Sequence, residues 1–184
     1  TIAFEPNFGI DKAMLITSLT AVAVCKAFEE TVGIGPKIKW VNDIYIQEKK
    51  VCGILTEAES NFETGTISKI IVGIGINCNQ PQESFPEQLQ QIATSILAVT
   101  GNSVSLPKLT AAMIVQLKAM ADNLFHTQQA TMLQYEKDCV TLQKEVVQYI
   151  YPSFFTIFNK IPCASDNSVS KMPKFAHQFP QNSK

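Results

Sequence analysis

From Ile67 to Asn77 the chain carries Ile67, Ile70, Ile71, Val72, Ile74 and Ile76 in eleven positions, broken by Gly73 and Gly75. β-branched side chains are stiff at χ1 and sit well on a pleated surface. A run this long and apolar is predicted to be a central strand buried on both faces. Its two glycines weaken that strand, since each loses packing and adds chain entropy. They make sense where a backbone must let a flat ligand approach, or where the sheet bends at a bulge. Gly53, inside another strand-like stretch, repeats the theme. The run is no dinucleotide fingerprint, because Cys78 stands at the third glycine position and no helix clearly follows.

Around this strand the pattern alternates between strand and helix. Ile2–Phe4 reads as a short strand, and 11–30 as one helix with Asp11 as its N-cap, closed by Gly33, Gly35 and Pro36. Residues 37–41 read as a strand. Ile44–Ile46 and Val51–Leu55 form a hairpin about the polar residues 47–50. Residues 61–65 are predicted as a loop. Helices are expected over 86–99, from Ser105 with Pro107 in the first turn, and over 130–138. The fold class that follows is α/β (α+β): a mixed, largely antiparallel sheet packed by helices. Beyond Tyr151 prolines interrupt every element, and 160–184 reads as weakly ordered.

Composition removes whole classes of function. With 184 residues, 46% hydrophobic and 17% charged, the chain can bury the core of one domain. Its net charge of −1 supplies no general field for nucleic acid or an anionic membrane. All fifteen basic residues are lysine, so guanidinium forks are absent from this sequence. Cysteines 25, 52, 78, 139 and 163 are widely spaced, with no metal-binding spacing and no disulfide framework. No signal peptide or membrane-length apolar run occurs, so the expected compartment is cytoplasmic. A start on a strand-like segment without Met suggests a fragment or a processed product.

The residues able to do chemistry gather in one place. Lys39, Trp40, Val41, Asn42 and Asp43 precede the hairpin, and Lys49 and Lys50 begin its second strand. A lysine next to an aspartate beside a buried strand suits a carboxylate or phosphate ligand. The same residues also fit an ordinary solvated hairpin tip with an Asx-turn. His126 and His177 are isolated, and no nucleophile elbow, P-loop or zinc-protease motif occurs.

Three segments taken together resemble the catalytic domain of biotin–protein ligases. Lys39–Tyr45 is similar to that family's Lys-Trp-Pro-Asn-Asp-x-Tyr stretch. Lys50–Glu57 is similar to its Lys-x-x-Gly-Ile-Leu-x-Glu stretch, and Gly73–Asn77 to its Gly-Ile-Gly-Ile-Asn stretch. Order and spacing agree, and the resemblance extends over about 1–150. It implies a class II synthetase-like, biotin–lipoate ligase fold, with the catalytic domain over 1–138. It further implies entry to a C-terminal SH3-like barrel over 139–150 and a divergent tail over 151–184.

The implied activity is ATP-dependent formation of biotinyl-5′-AMP, followed by transfer to a lysine of a biotin carboxyl carrier protein or carboxylase subunit. The resemblance assigns catalysis to Lys50 and Asp43. It assigns ligand binding to Asn42, Lys50, Gly53, Leu55, Gly73, Gly75, Ile76 and Asn77. Biotin, ATP and Mg²⁺ are the expected ligands, with no resident metal site. No nucleic-acid or membrane partner is implied, and a homodimer is compatible with the family. Val41 stands where the family has proline, and Cys52 where it has a small residue. The family's Gly-Arg-Gly-Arg loop would fall before Thr1, so the sequence reads as truncated at both ends. The alternatives are a non-catalytic remnant or partner-binding fragment of the family, or a lipoate–protein ligase relative.

Overall fold

The computed structural model describes residues 1–13, 15–61, 66–122 and 124–142. Five strands form one sheet: β1 (Ile2–Phe4), β2 (Lys37–Lys39), β3 (Asp43–Ile46), β4 (Lys49–Asn61) and β5 (Thr66–Ile76). Their spatial order is β1-β5-β4-β3-β2, and all four neighbouring pairs run antiparallel. Parallel contacts occur only as single bridges among the described residues, Ile38 to Cys139 and Lys50 to Ala93.

Period-2 alternation gives this sheet one apolar face, made by Ile38, Ile44, Ile46, Ile54, Ile70 and Val72. Across that face lies α2 (Ile16–Val32), anchored by the Thr17 hydroxyl donating to Thr56 Oγ1 at 2.8 Å. α2 is apolar nearly all round, as a helix covered on both sides must be. Its alanines at 21, 23 and 27 are fully buried and let neighbours approach. Phe28, also fully buried, is its largest core side chain, and truncation to alanine there would cost about 3–5 kcal/mol. α2 also packs against α4 (Leu106–Asp122) and α5 (Leu124–Asp138), and α5 reaches β2 as well. Gly33, with φ 75°, ends α2 by donating its N–H to the Glu29 carbonyl.

Three expectations change. The helix predicted over 11–30 is two helices, α1 (Ile10–Ala13) and then α2. The Gly9 carbonyl accepts from Lys12 and Ala13, and Asp11 lies inside α1 instead of capping it. The helix predicted over 86–99 is absent except at its end, α3 (Ile96–Thr100). Pro81 and Pro86 adopt extended ψ and start short 3₁₀ turns, Gln82–Ser84 and Glu87–Leu89. Ser95 then caps α3 by accepting from the Ala98 N–H, and Gly101 ends it.

The third change concerns β5, which is buried on one face only. Val72 is 3% exposed, whereas Gly73 and Gly75 open toward solvent, because the helices cover a single side. The predicted loop at 61–65 begins later than Asn61, which is still paired to Thr66; 62–65 lie outside the described residues. Of the expected barrel entry only 139–142 are described, and they fold against β2. The Val140 N–H donates to the Ile38 carbonyl and the Thr141 hydroxyl accepts from the Trp40 N–H. The expected tail, 151–184, lies outside the described residues.

Candidate functional site: a glycine floor under a lysine–aspartate pair

Strand register assembles the site. Asp43 stands opposite Gly53, Gly53 opposite Gly75, and the next row pairs Leu55 with Gly73. Alternation puts these five residues on the face turned away from the helices. Leu55 is 62% exposed there, so its side chain rises next to the bare backbone of Gly73 and Gly75.

Lys50 reaches the same face through a β-bulge. Ile44 faces Cys52, but Tyr45 faces Lys50, so Val51 is an additional residue in β4. Val51 and Cys52 are both buried, and the bulge absorbs the residue that would otherwise turn Lys50 toward the core. The ammonium of Lys50 lies 2.6 Å from Asp43 Oδ1. Its tail lies over Gly53: a Cβ there would stand 3.2 Å from Cε and 3.3 Å from Nζ. Gly53 is therefore small to admit a lysine of this chain. At Gly73 and Gly75 a Cβ would meet only backbone oxygens, at 3.8 and 3.9 Å, so no close packing demands glycine at either position. Their effect is to leave a flat floor.

The backbone around the pair is fixed from two sides. The Asn42 carbonyl accepts from the Ile54 N–H at 3.0 Å, while Asn42 Nδ2 donates to the Ile54 carbonyl at 2.7 Å. Tyr135, reaching from α5, donates its hydroxyl to the Val41 carbonyl at 3.0 Å. On the other side residues 92–94 continue where β5 stops. The Lys50 N–H donates to the Ile92 carbonyl, and the Thr94 N–H donates to the Lys50 carbonyl, both at 2.9 Å. Asn77 ties this segment down: its Nδ2 donates to the Thr94 carbonyl and its own carbonyl accepts from the Ile96 N–H. The helix expected over 86–99 concealed this neighbour of Lys50, and no periodic signal marked it.

The result is an open hollow of about 480 Å³. Asn42, Asp43, Lys50, Gly53, Leu55, Gly73 and Gly75 all line it, as sequence reasoning expected them to come together. Thr1, Ile54 and Ile74 also line it, and the strand motifs alone did not single these out. Ile76 and Asn77 stand outside the lining; Ile76 packs against the core. The thiols behind the floor are chemically quiet. Burial pushes Cys52 up to about 12, with Lys50 opposing and Asp43 and Cys78 reinforcing the rise. Cys25 is raised further, again chiefly by burial. Among the described residues no three His, Cys, Asp or Glu side chains gather as a metal site. No helix among them is long and apolar enough to cross a membrane.

Residues 1–77 match the biotin/lipoate A/B protein ligase family. The bifunctional ligase/repressor BirA of Bacillus subtilis is 41% identical over 104 residues, which are 56% of this chain and 31% of that protein. The chain thus spans less than a third of the length of that curated relative. Among solved structures, apo biotin protein ligase from Aquifex aeolicus superposes with a TM-score of 0.67 at 27% identity. That match covers 79% of this chain and 62% of the other. The Aquifex aeolicus ligase in complex with biotin and ATP gives 0.66 at 26% identity, covering 86% and 64%.

Proposed function

Because residues 1–77 carry the biotin/lipoate A/B protein ligase domain, we propose that this protein activates biotin with ATP and passes it to a carrier protein. The observation that carries this reading is the placement of Lys50, paired to Asp43 and lying over Gly53 at the edge of a flat glycine floor. The similarity to a ligase solved with biotin and ATP supports the choice of ligands.

In the first step an oxygen of the biotin carboxylate forms a bond to the α-phosphorus of ATP, and pyrophosphate leaves with its bonding electrons. Two anions must meet, so a fixed positive group where charge develops lowers the barrier. Lys50 supplies it, held in place by Asp43. The rings of biotin lie on Gly73 and Gly75 with Leu55 as a wall, where the absent side chains allow backbone contact. Asn42, locked to Ile54 through both its carbonyl and its amide, holds the phosphate end. Asn77 shapes the adenylate side by fixing residues 94–96 next to Lys50.

In the second step the neutral amine of a carrier lysine attacks the acyl carbon, AMP departs with the bonding electrons of the acyl–phosphate bond, and the surplus amine proton passes to Asp43 or to water. Asp43 is the carboxylate that lines the hollow, and it also orients Lys50. Mg²⁺ would be a companion of the triphosphate, whose charge it would offset; phosphate oxygens would hold it with Asn42 alongside, since Asp43 is paired to Lys50 and no three His, Cys, Asp or Glu side chains among the described residues gather as a cage.

The test is to incubate the full chain with ATP, Mg²⁺ and a biotin carboxyl carrier domain, adding either biotin or lipoate, and to weigh the carrier by mass spectrometry. Mass gain with biotin alone supports the reading. Gain with lipoate alone would move the protein to the other branch of the family, and gain with neither contradicts the activity.

A further inference from the structure

Lys39 is the one member of the Lys39–Asp43 stretch with a charged side chain that the proposed chemistry leaves unused. Register places it directly opposite Asp43 on β2, so Lys39, Asp43, Gly53 and Gly75 form a single row across four strands. Its neighbours Ile38 and Ile44 are buried on the other face, so Lys39 shares the open face with the floor. Two strand spacings, about 10 Å, separate its backbone from that of Gly53.

Lys39 stands outside the lining of the hollow, next to Asp43 at its rim, and the charge balance there makes this position matter. Lys50 already lies 2.6 Å from Asp43, so that pair is close to neutral. A nucleotide triphosphate brings several negative charges. Among the described residues Lys39 has no carboxylate within ion-pair distance. Its ammonium lies 3.4 Å from the Tyr45 hydroxyl and 5.3 Å from the centre of that ring. A cation over an aromatic face is held without being neutralised. Tyr45 is also the residue facing Lys50 across the bulge, so one side chain borders both lysines' strands.

We infer that Lys39 is the second phosphate contact of this site, binding the β- and γ-phosphates and then the leaving pyrophosphate, with Tyr45 as its positioning residue. Lys50 on β4 holds the reacting end of the phosphate chain, and Lys39 meets it from β2, two strands further out. This assignment rests on the proposed adenylating function for the identity of the ligand, but its test does not require turnover.

The probe is inorganic pyrophosphate, titrated calorimetrically into the full chain at low and moderate salt. The wild type is expected to bind, more weakly as salt rises. Lys39→Met should weaken binding about tenfold, Lys39→Arg should restore most of it, and Tyr45→Phe should cost about threefold. Lys39 is exposed, so thermal midpoints of the variants should stay near the wild type. Pyrophosphate binding absent in the wild type, or unchanged within twofold in Lys39→Met, overturns the inference. Lys39-dependent binding without any biotinyl-AMP formation would sustain this phosphate contact while contradicting the proposed activity.

Discussion

Lys50 and Asp43 meet at 2.6 Å on neighbouring strands, and only a one-residue bulge at Val51 makes that meeting possible. Their side chains are 43% and 24% exposed, so the pair contributes little to stability and much to position. Asp43→Asn should shift the unfolding free energy by less than about 1 kcal/mol. It should nevertheless slow biotinyl-AMP formation about tenfold or more, because the Lys50 tail loses its anchor. Denaturant unfolding and single-turnover adenylation on one preparation separate these effects. A large stability loss with unchanged turnover would make the pair structural.

The glycine floor separates fold from ligand in a similar way. Gly75→Ala adds a methyl that meets the Gly53 carbonyl oxygen at an ordinary 3.9 Å. It should stabilise the strand by about 0.5–1 kcal/mol, since glycine in a strand interior is costly. Calorimetric titration should show biotin affinity falling at least tenfold. Gly53→Ala should leave stability nearly unchanged, because the flexible Lys50 tail can move, but adenylation should drop as that tail is displaced. A Gly75→Ala variant that binds biotin normally would remove the floor from the site.

The β3–β4 hairpin turns on Gln47 and Glu48, with φ of 49° and 64°. Two-residue turns of this kind favour Asn-Gly, and other side chains there cost about 1 kcal/mol or more. The double substitution Gln47→Asn and Glu48→Gly should raise stability by about 1 kcal/mol in denaturant unfolding without altering ligand binding. A loss of stability would show that the turn conformation is assigned wrongly.

Buried thiols contribute to the alkaline limit of the fold. An ordinary cysteine titrates near 9.0, whereas Cys52 is pushed up to about 12 and Cys25 is raised further. Both favour the protonated, folded state, so their stabilisation is fully present below pH 9. It is lost as pH rises toward 12, at about 1.4 kcal/mol per pH unit for each thiol. Thermal midpoints should be flat from pH 7 to 8.5 and fall steeply above 9. Cys52→Ala should make that fall shallower, and an unchanged slope would contradict the assignment.

Much of this site was legible because strands obey a simple geometry. Gly53, Gly73 and Gly75 stand out as glycines inside β-branched runs, and the hairpin places Lys50 close to Asn42 and Asp43 without fixing the register. The bulge was not legible, since Val51 and Cys52 are both apolar and nothing marks which one is additional. The 92–94 segment was hidden as well: residues 86–99 have helical composition, yet Pro86 and the Gln82 and Gln90 amides hold them in turns. Burial of β5 on both faces was a misreading of hydrophobicity. An apolar strand next to a ligand hollow looks the same in sequence as one under a second layer of helices.

The most direct test of the central claim is biotin-dependent exchange of labelled pyrophosphate into ATP, compared between the full chain and Lys50→Ala. Loss of a single preorganised charge in such a step costs about 10²–10³-fold. Exchange that requires biotin in the wild type and falls at least a hundredfold in Lys50→Ala, with an unchanged thermal midpoint, is the predicted result. Exchange that persists in Lys50→Ala, or a wild type with no biotin-dependent exchange, would contradict the assignment of this hollow as the adenylating centre.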